Sequence, residues 1–362
     1  MSHPSDDELE VSVFGPGIGE SIAVHIGRRQ WIIVDSCCDT DDEPAAITYL
    51  EDIGVDTASE VKLIVASHWH DDHIRGISKV YSKCFAARFS CAGVLRKDEF
   101  CTLVVAYGED PMIKHKGVRE FYRIFCEMQE LSSEDPRRNP IWALENKTLL
   151  HEDGRYSVKA LSPSDEAVTQ ALQDMSAFLP KDNEPIRNLI SENANHAAVV
   201  LSVTLGIWNI LLASDLQHTA NPLLGWTAIV NSPGRTKSKA ALLKIPHHGS
   251  ETGNAPGIWT DLVCHRPLGV VTPYNRGVTK LPTKKSLKLL SKSCSQLYYT
   301  ALPTVTSPPR RSPAVEKTLK MVALERKVVE SRMGQVRLRA SINGPDETWT
   351  EELFGEAGKS VP

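Results

Sequence analysis

Residues 67–73 read Ser67-His68-Trp69-His70-Asp71-Asp72-His73, which places His68, His70, Asp72 and His73 in the pattern His-x-His-x-Asp-His. Imidazoles and carboxylates packed this densely are costly to desolvate unless a cation compensates them. The preceding run, Val61-Lys62-Leu63-Ile64-Val65-Ala66, is short, apolar and β-branched, as in a buried strand. The cluster therefore sits where a strand ends. A loop leaving a strand can turn residues 68 and 70 one way and residues 72 and 73 another, serving two cations about 3.5–4 Å apart. The competing reading, a solvated polar loop with chance histidines, loses weight as two later stretches are taken in.

The first of these runs from Asn193 to Asp215. Ala197 to Val203 and Trp208 to Leu212 read as adjacent strands joined at Gly206, with Asn195 and His196 at the entry of one and Asp215 at the exit of the other. His196 and Asp215 are thus expected at the same end of a sheet. The second stretch, Ala241 to Ser250, is again a strand delivering histidines, His247 and His248, with Gly249 allowing close backbone approach. Alone, each has an ordinary reading as a strand-end polar residue. Together they supply what a two-cation site still lacks.

The rest of the chain frames these elements. Val11–Phe14, Ser21–Ile26 and Trp31–Val34 read as a three-stranded meander that ends at Asp35, either a turn-former or an acceptor orienting a ligand histidine. Ala45–Ile53 has helical spacing, with Ala46, Tyr49, Leu50 and Ile53 on one side. Residues 88–138 read as a mostly helical insertion. Leu149–His151 and Tyr156–Leu161 read as a hairpin, followed by a helix capped at Ser164. Leu268–Thr272 reads as a strand and 283–291 as a helix capped by Thr283. Pro303, Pro308, Pro309 and Pro313 mark a linker or strap. Residues 333–340 form an alternating strand with Arg337 and Arg339 on one face, and 350–357 a short helix or loop.

With 362 residues the chain can bury a large core, and the expected division is a main domain over 1–300 and a C-terminal extension over 301–362. Net charge is −4, but residues 280–340 carry fourteen Lys and Arg against three Asp and Glu. Such a basic flank suits a polyanion, and equally a solvated helix face. The eight cysteines include no Cys-x-x-Cys pair and read as buried free thiols. The polar, acidic start lacks the pattern of a signal peptide, and the apolar stretch 197–213 is broken by Ser202, Thr204, Gly206 and Asn209. A cytoplasmic protein without a membrane partner is the expectation.

At this point the residues resemble the metallo-β-lactamase-fold hydrolases, through His68-x-His70-x-Asp72-His73, Asp215 and His247-His248-Gly249-Ser250. The Gly19-Glu20-Ser21, Val34-Asp35-Ser36 and Pro246-His247-His248-Gly249-Ser250 elements are most similar to the hydrolase domain of bacterial DNA-uptake (competence) channel proteins. The resemblance implies an α/β fold, an αββα sandwich with the metal site at one edge, here carrying the helical insertion and the basic extension. It also implies His68 and His70 on one metal, Asp72 and His73 on the other, and Asp215 bridging. His247 or His248 completes the second metal, with His247 favoured. Where relatives place a further histidine, this chain offers Asn195 and His196, of which imidazole is the better zinc ligand.

Two divalent ions, zinc first with manganese or iron open, would lower the pKa of a bridging water toward neutrality and supply hydroxide for attack on phosphorus or an acyl carbon. Asp72 would orient it, and His196, if not a ligand, or the spare histidine of the 247–248 pair would protonate the leaving group. The expected activity is a phosphodiesterase or nuclease, acting on nucleic acid or a nucleotide. A hydrolase of lactones, thioesters or β-lactams, and a non-catalytic metal-binding accessory protein, are the alternatives.

Overall fold

The computed structural model describes residues 2–96, 116–176, 194–276, 280–303, 312–322, 333–343 and 348–360. In chain order its strands are β1 (Glu8–Gly15), β2 (Ser21–Ile26), β3 (Trp31–Val34), β4 (Val61–Ala66), β5 (Arg88–Ala92), β6 (Ile141–Ala143), β7 (Thr148–Glu152) and β8 (Tyr156–Ala160). They continue with β9 (Leu201–Leu205), β10 (Trp208–Leu212), β11 (Ala240–Lys244), β12 (Val263–Val271), β13 (Gln296–Tyr299), β14 (Gly334–Ser341), β15 (Thr350–Phe354) and β16 (Gly358–Lys359). Two mixed sheets result, in the orders β15-β14-β1-β2-β3-β4-β5-β6 and β16-β13-β12-β11-β10-β9-β8-β7. In the first, β3 to β6 run parallel; in the second, β10 to β13 do.

Strand alternation explains how the layers stack. In β10 and β11, Ile210 and Leu242 point into the core shared by the two sheets, while Leu211 and Leu243 point outward. The outward set packs under Trp226 and Ile229 of the helix Gly225–Asn231 and Leu290 of the helix Lys284–Ser293. On the other side the helix Ala45–Asp52 buries Ala46, Tyr49 and Leu50, the face expected from spacing. Thr283 caps its helix by accepting from the Ser286 amide at 3.1 Å, and Ser164 accepts from Ala167 at 3.3 Å. Two sheets flanked by helices form the αββα sandwich.

Three segments differ from expectation. Residues 88–138 open not with a helix but with β5, which lies parallel to β4 because Phe89 and Cys91 have core positions to fill. The helix of this region is Lys116–Glu130, burying Phe121, Ile124 and Met128, and residues 97–115 lie outside the described residues. The segment 350–357, expected as a helix or loop, supplies β15 alongside β14. Finally, β14 pairs with β1 over eight positions, so Arg337 and Arg339 are buried rather than offered to solvent. Arg339 Nε donates to Glu10 Oε2 at 2.7 Å and Arg337 Nε to Glu352 Oε2 at 2.9 Å.

The expected strap lies largely, and residues 178–192, whose turn-forming residues predict a loop, lie wholly, outside the described residues. Five of the described cysteines are buried and Cys126 and Cys264 partly so, all of them free thiols. Among the described residues no helix is long and apolar enough to cross a membrane, and 197–213 includes the β9–β10 hairpin.

Candidate metal centre

The centre lies where β3, β4, β10, β11 and β12 end side by side. β3 delivers Asp35, which bends into the left-handed region (φ 57°) so that its carboxylate turns back toward β4. There it accepts from the Ser67 amide, the Ser67 hydroxyl and His73 Nδ1, each at 2.7 Å. Burial raises the Asp35 pKa above its ordinary value, although hydrogen bonding and charge from His73 oppose this. Beyond His68 the chain enters the short helix Asp71–Ile74, which begins just after His70 and carries Asp72 and His73. A side chain at Gly19 would strike the Asp72 carbonyl oxygen, 2.7 Å from an added Cβ, so glycine there lets the β1–β2 turn close on this loop.

From the second sheet, β10 leads to Ser214 and the buried Asp215, and β11 to Pro246, His247 and His248. His247, His248 and Gly249 adopt left-handed backbone in succession (φ 47°, 52° and 75°). That turn separates the two histidines. His248 is buried, with Nε2 3.2 Å from Asp72 Oδ2 and 3.5 Å from Asp215 Oδ2. His247 lies to one side, its Nε2 3.9 Å from Asp215 Oδ2 and 3.3 Å from Asn195 Nδ2.

The tautomers follow from the hydrogen-bond network. His73 Nδ1 donates to Asp35, and His248 Nδ1 to the Thr272 carbonyl at 2.8 Å. Ser67 gives its proton to Asp35 and Ser214 gives its proton to Ser67, at 2.7 Å each. His68 Nδ1, 2.9 Å from Ser67 Oγ and 3.3 Å from Ser214 Oγ, therefore meets only acceptors and must carry hydrogen. All three rings thus hold Nδ1 behind them and turn Nε2 forward. His73 Nε2 and Asp215 Oδ1 face each other at 3.3 Å, both buried and neither hydrogen-bonded.

Two groups of donors converge, their atoms within 4.8 Å of one another: His68, His70 and Asp215 in one, and Glu20, His73, Asp215 and His248 in the other. Orphaned buried Nε2 and carboxylate atoms aimed at a shared point are donors that a divalent cation satisfies. The residues present fit such an ion. The charge balance is that of a carboxylate-rich pocket: desolvation lowers the His248 pKa, but Asp215 and Asp72 outweigh it and hold it up at about 10. His73 is likewise raised, with Asp215 and Glu20 overcoming desolvation, whereas burial beside His73 and His70 drives His68 well down and keeps it neutral.

Of the residues expected at the site, His68, His70 and Asp215 meet in one donor group and His73 and Asp215 in the other, while Asp72 joins neither group and reaches the centre through His248 Nε2 at 3.2 Å. Of the histidine pair it is His248, turned toward Asp72 and Asp215 by the left-handed backbone, that joins a donor group, and His247 does not. His196 was expected at the site as well. It is half-buried in the 3-10 turn Ala194–Ala197, within reach of the Asp174 charge, and joins neither donor group. Its neighbour Asn195 takes the site-facing position, with Oδ1 buried and lacking a hydrogen-bond partner.

Sequence reasoning missed Lys244, Thr272 and Tyr274. Lys244 carried a signal, a charge in the otherwise apolar run Leu242 to Ile245, and is fully buried. Tyr274 follows β12 at the same sheet end, and its ring lies 5.4 Å from that of His248.

Residues 14–159 match the family described as the Metallo-beta-lactamase superfamily. That match takes in His68–His73 and stops short of Asp215 and His248. Comparison with curated proteins gives no match. Similar solved structures include a metallo-β-lactamase with the HARLDQ motif, in mutant form, from Cronobacter sakazakii (Enterobacter sakazakii), at 17% identity and TM-score 0.30 over 58% of this chain and 62% of that one. This chain therefore spans less than two thirds of that protein. The metallo-β-lactamase fold protein YhfI from Bacillus subtilis is similar at 11% identity and TM-score 0.38, over 80% of this chain and 94% of that one. The subclass B3 metallo-β-lactamase MEM-A1 from a soil metagenome library is similar at 14% identity and TM-score 0.33, over 74% and 78%.

Proposed function

We propose that this chain is a dinuclear metal-dependent hydrolase of phosphodiesters, with nucleic acid or a nucleotide as substrate. The observation that carries the dinuclear reading is that Asp215 belongs to both convergent donor groups, as a carboxylate shared by two ions would. His68 and His70 would hold one ion, and Asn195 Oδ1, buried without a hydrogen-bond partner, could serve as a further donor. Asp72, His73 and His248 would hold the other. Such ions, zinc foremost, would supply a water of lowered pKa and neutralise charge on the departing oxygen.

The chain's own groups do the rest. Asp72, tied to His248 at 3.2 Å, orients the attacking water by accepting its hydrogen bond. His247, outside both donor groups, would donate a proton to the leaving oxygen. The phosphodiester preference rests on the motif resemblance to DNA-uptake hydrolase domains and on the Lys-rich residues 280–292 that follow β12. A second reading, hydrolysis of lactone, thioester or β-lactam bonds, is favoured by one feature: Ile18, exposed on the turn that closes on Asp72.

The test is metal content together with hydrolysis of bis(p-nitrophenyl) phosphate, for the parent, Asp72→Ala and Asp215→Ala. About two ions per parent chain, and no turnover in either variant, is the expected result. Bound metal with no phosphodiester cleavage moves the acyl-hydrolase reading ahead. A parent that binds no metal overturns the proposal.

A further inference from the structure

Glu20 and Lys244 are buried together, 1% and 0% exposed, at the junction of the two sheets. Lys244 Nζ pairs with Glu20 Oε2, and the Thr272 hydroxyl donates to the same oxygen at 2.6 Å. Glu20 looks toward the metal centre from behind. Its Oε1 is 3.7 Å from His73 Nδ1 and its Oε2 3.9 Å from His248 Nδ1, whereas Asp215 faces Nε2 of both rings, at 3.3 and 3.5 Å. Nδ1 and Nε2 of an imidazole point away from each other, so an ion held by the Nε2 atoms lies on the side of the rings remote from Glu20. A cation on the Glu20 side already exists, as the Lys244 ammonium.

We infer that Glu20 is a positioning residue and not a metal ligand: compensated by Lys244, it fixes negative charge behind His73 and His248 and so holds both rings with Nε2 toward Asp215. Each ring is then gripped twice, His73 by Asp35 and Glu20, His248 by the Thr272 carbonyl and Glu20. Thr272 links the two grips, since its carbonyl takes His248 and its hydroxyl takes Glu20. Lys244 makes the arrangement tolerable, because a carboxylate buried beside Asp35 without a counter-charge would be expelled or protonated.

The inference rests on the metal-centre reading above. Its test uses zinc-loaded parent, Glu20→Gln, Lys244→Met and the double variant Glu20→Gln/Lys244→Met. Zinc per chain, affinity by chelator competition and the unfolding midpoint of each metal-free form are measured. Glu20→Gln should bind as many ions as the parent, about 10- to 100-fold more weakly, as when an outer partner of a ligand is lost. Lys244→Met should unfold more readily than the double variant, since it alone strands a buried charge. Glu20→Gln one ion short of the parent would make Glu20 a ligand and overturn the inference. Unchanged affinity, or a double variant no more stable than Lys244→Met, would overturn it too. A parent without zinc would overturn this inference and the hydrolase reading together, whereas a loaded parent with a one-ion deficit in Glu20→Gln overturns this inference alone.

Discussion

The Asp35 carboxylate accepts the Nδ1 proton of His73 at 2.7 Å, across a separation of 38 residues in the chain. The same carboxylate holds the amide and hydroxyl of Ser67, so one side chain at the end of β3 sets both the start of the histidine loop and the orientation of its last histidine. Replacing it by Asn should leave the fold in place and weaken metal binding about 10- to 100-fold. Competition with a chromophoric chelator reads this directly, and equal affinity in parent and Asp35→Asn would break the link.

The placements of His248 and His196 separate cleanly in a metal titration. His248→Ala removes a buried donor 3.2 Å from Asp72 and should cost one bound ion per chain, whereas His196→Ala should retain the parent's full complement. Metal analysis after dialysis decides the matter. A one-ion loss in His196→Ala would restore that residue as a ligand.

His25 offers a pH test remote from the metal centre. Its Nδ1 donates to the Glu8 carbonyl at 2.8 Å, and burial lowers its pKa from the ordinary 6.5 to about 4. In the unfolded chain it takes a proton near 6.5, and in the folded chain only near 4. The unfolded state therefore binds more protons in this window, and stability present in full above pH 6.5 falls as pH drops toward 4, by roughly 3 kcal/mol. Denaturant unfolding of parent and His25→Gln across this range should show a shallower fall in the variant. Parallel profiles would remove His25 as a cause.

Arg339 pins β14 to β1 through a buried charge. Its Nε lies 2.7 Å from Oε2 of Glu10, which is wholly buried. Arg339→Met would strand that carboxylate and should lower stability by about 3–5 kcal/mol. The companion Glu10→Gln/Arg339→Met, with no lone charge, should recover much of the loss in urea unfolding.

Much of this protein was legible in one dimension. The strand before Ser67, the β9–β10 hairpin and the helix caps at Ser164 and Thr283 follow from local pattern, since a period of two or a capping hydroxyl acts over only a few residues. The cluster His68-x-His70-x-Asp72-His73 is likewise local, so its chemistry could be read before any fold was known. Local pattern failed at Arg88–Ala92, which joins a sheet because β4 offers it an edge, and at residues 350–354, a strand only because β14 lies beside them.

Determined by the sequence alone were the donor types, their delivery by strand ends and, through the motif resemblance, the sandwich fold. Which donors meet was decided in three dimensions. His247 and His248 are neighbours with equal chemistry, and only the left-handed backbone of the turn sends one to Asp72 and Asp215 and the other toward Asn195. Asn195 lies against His247 while His196, the better ligand by type, joins neither donor group, because the 3-10 turn sends the two neighbours in different directions. Arg337 and Arg339 read as surface charge until β14 paired with β1 and buried them. In each case the deciding quantity is direction or burial, set by contacts between segments far apart in the chain, and no local pattern of residue types encodes it.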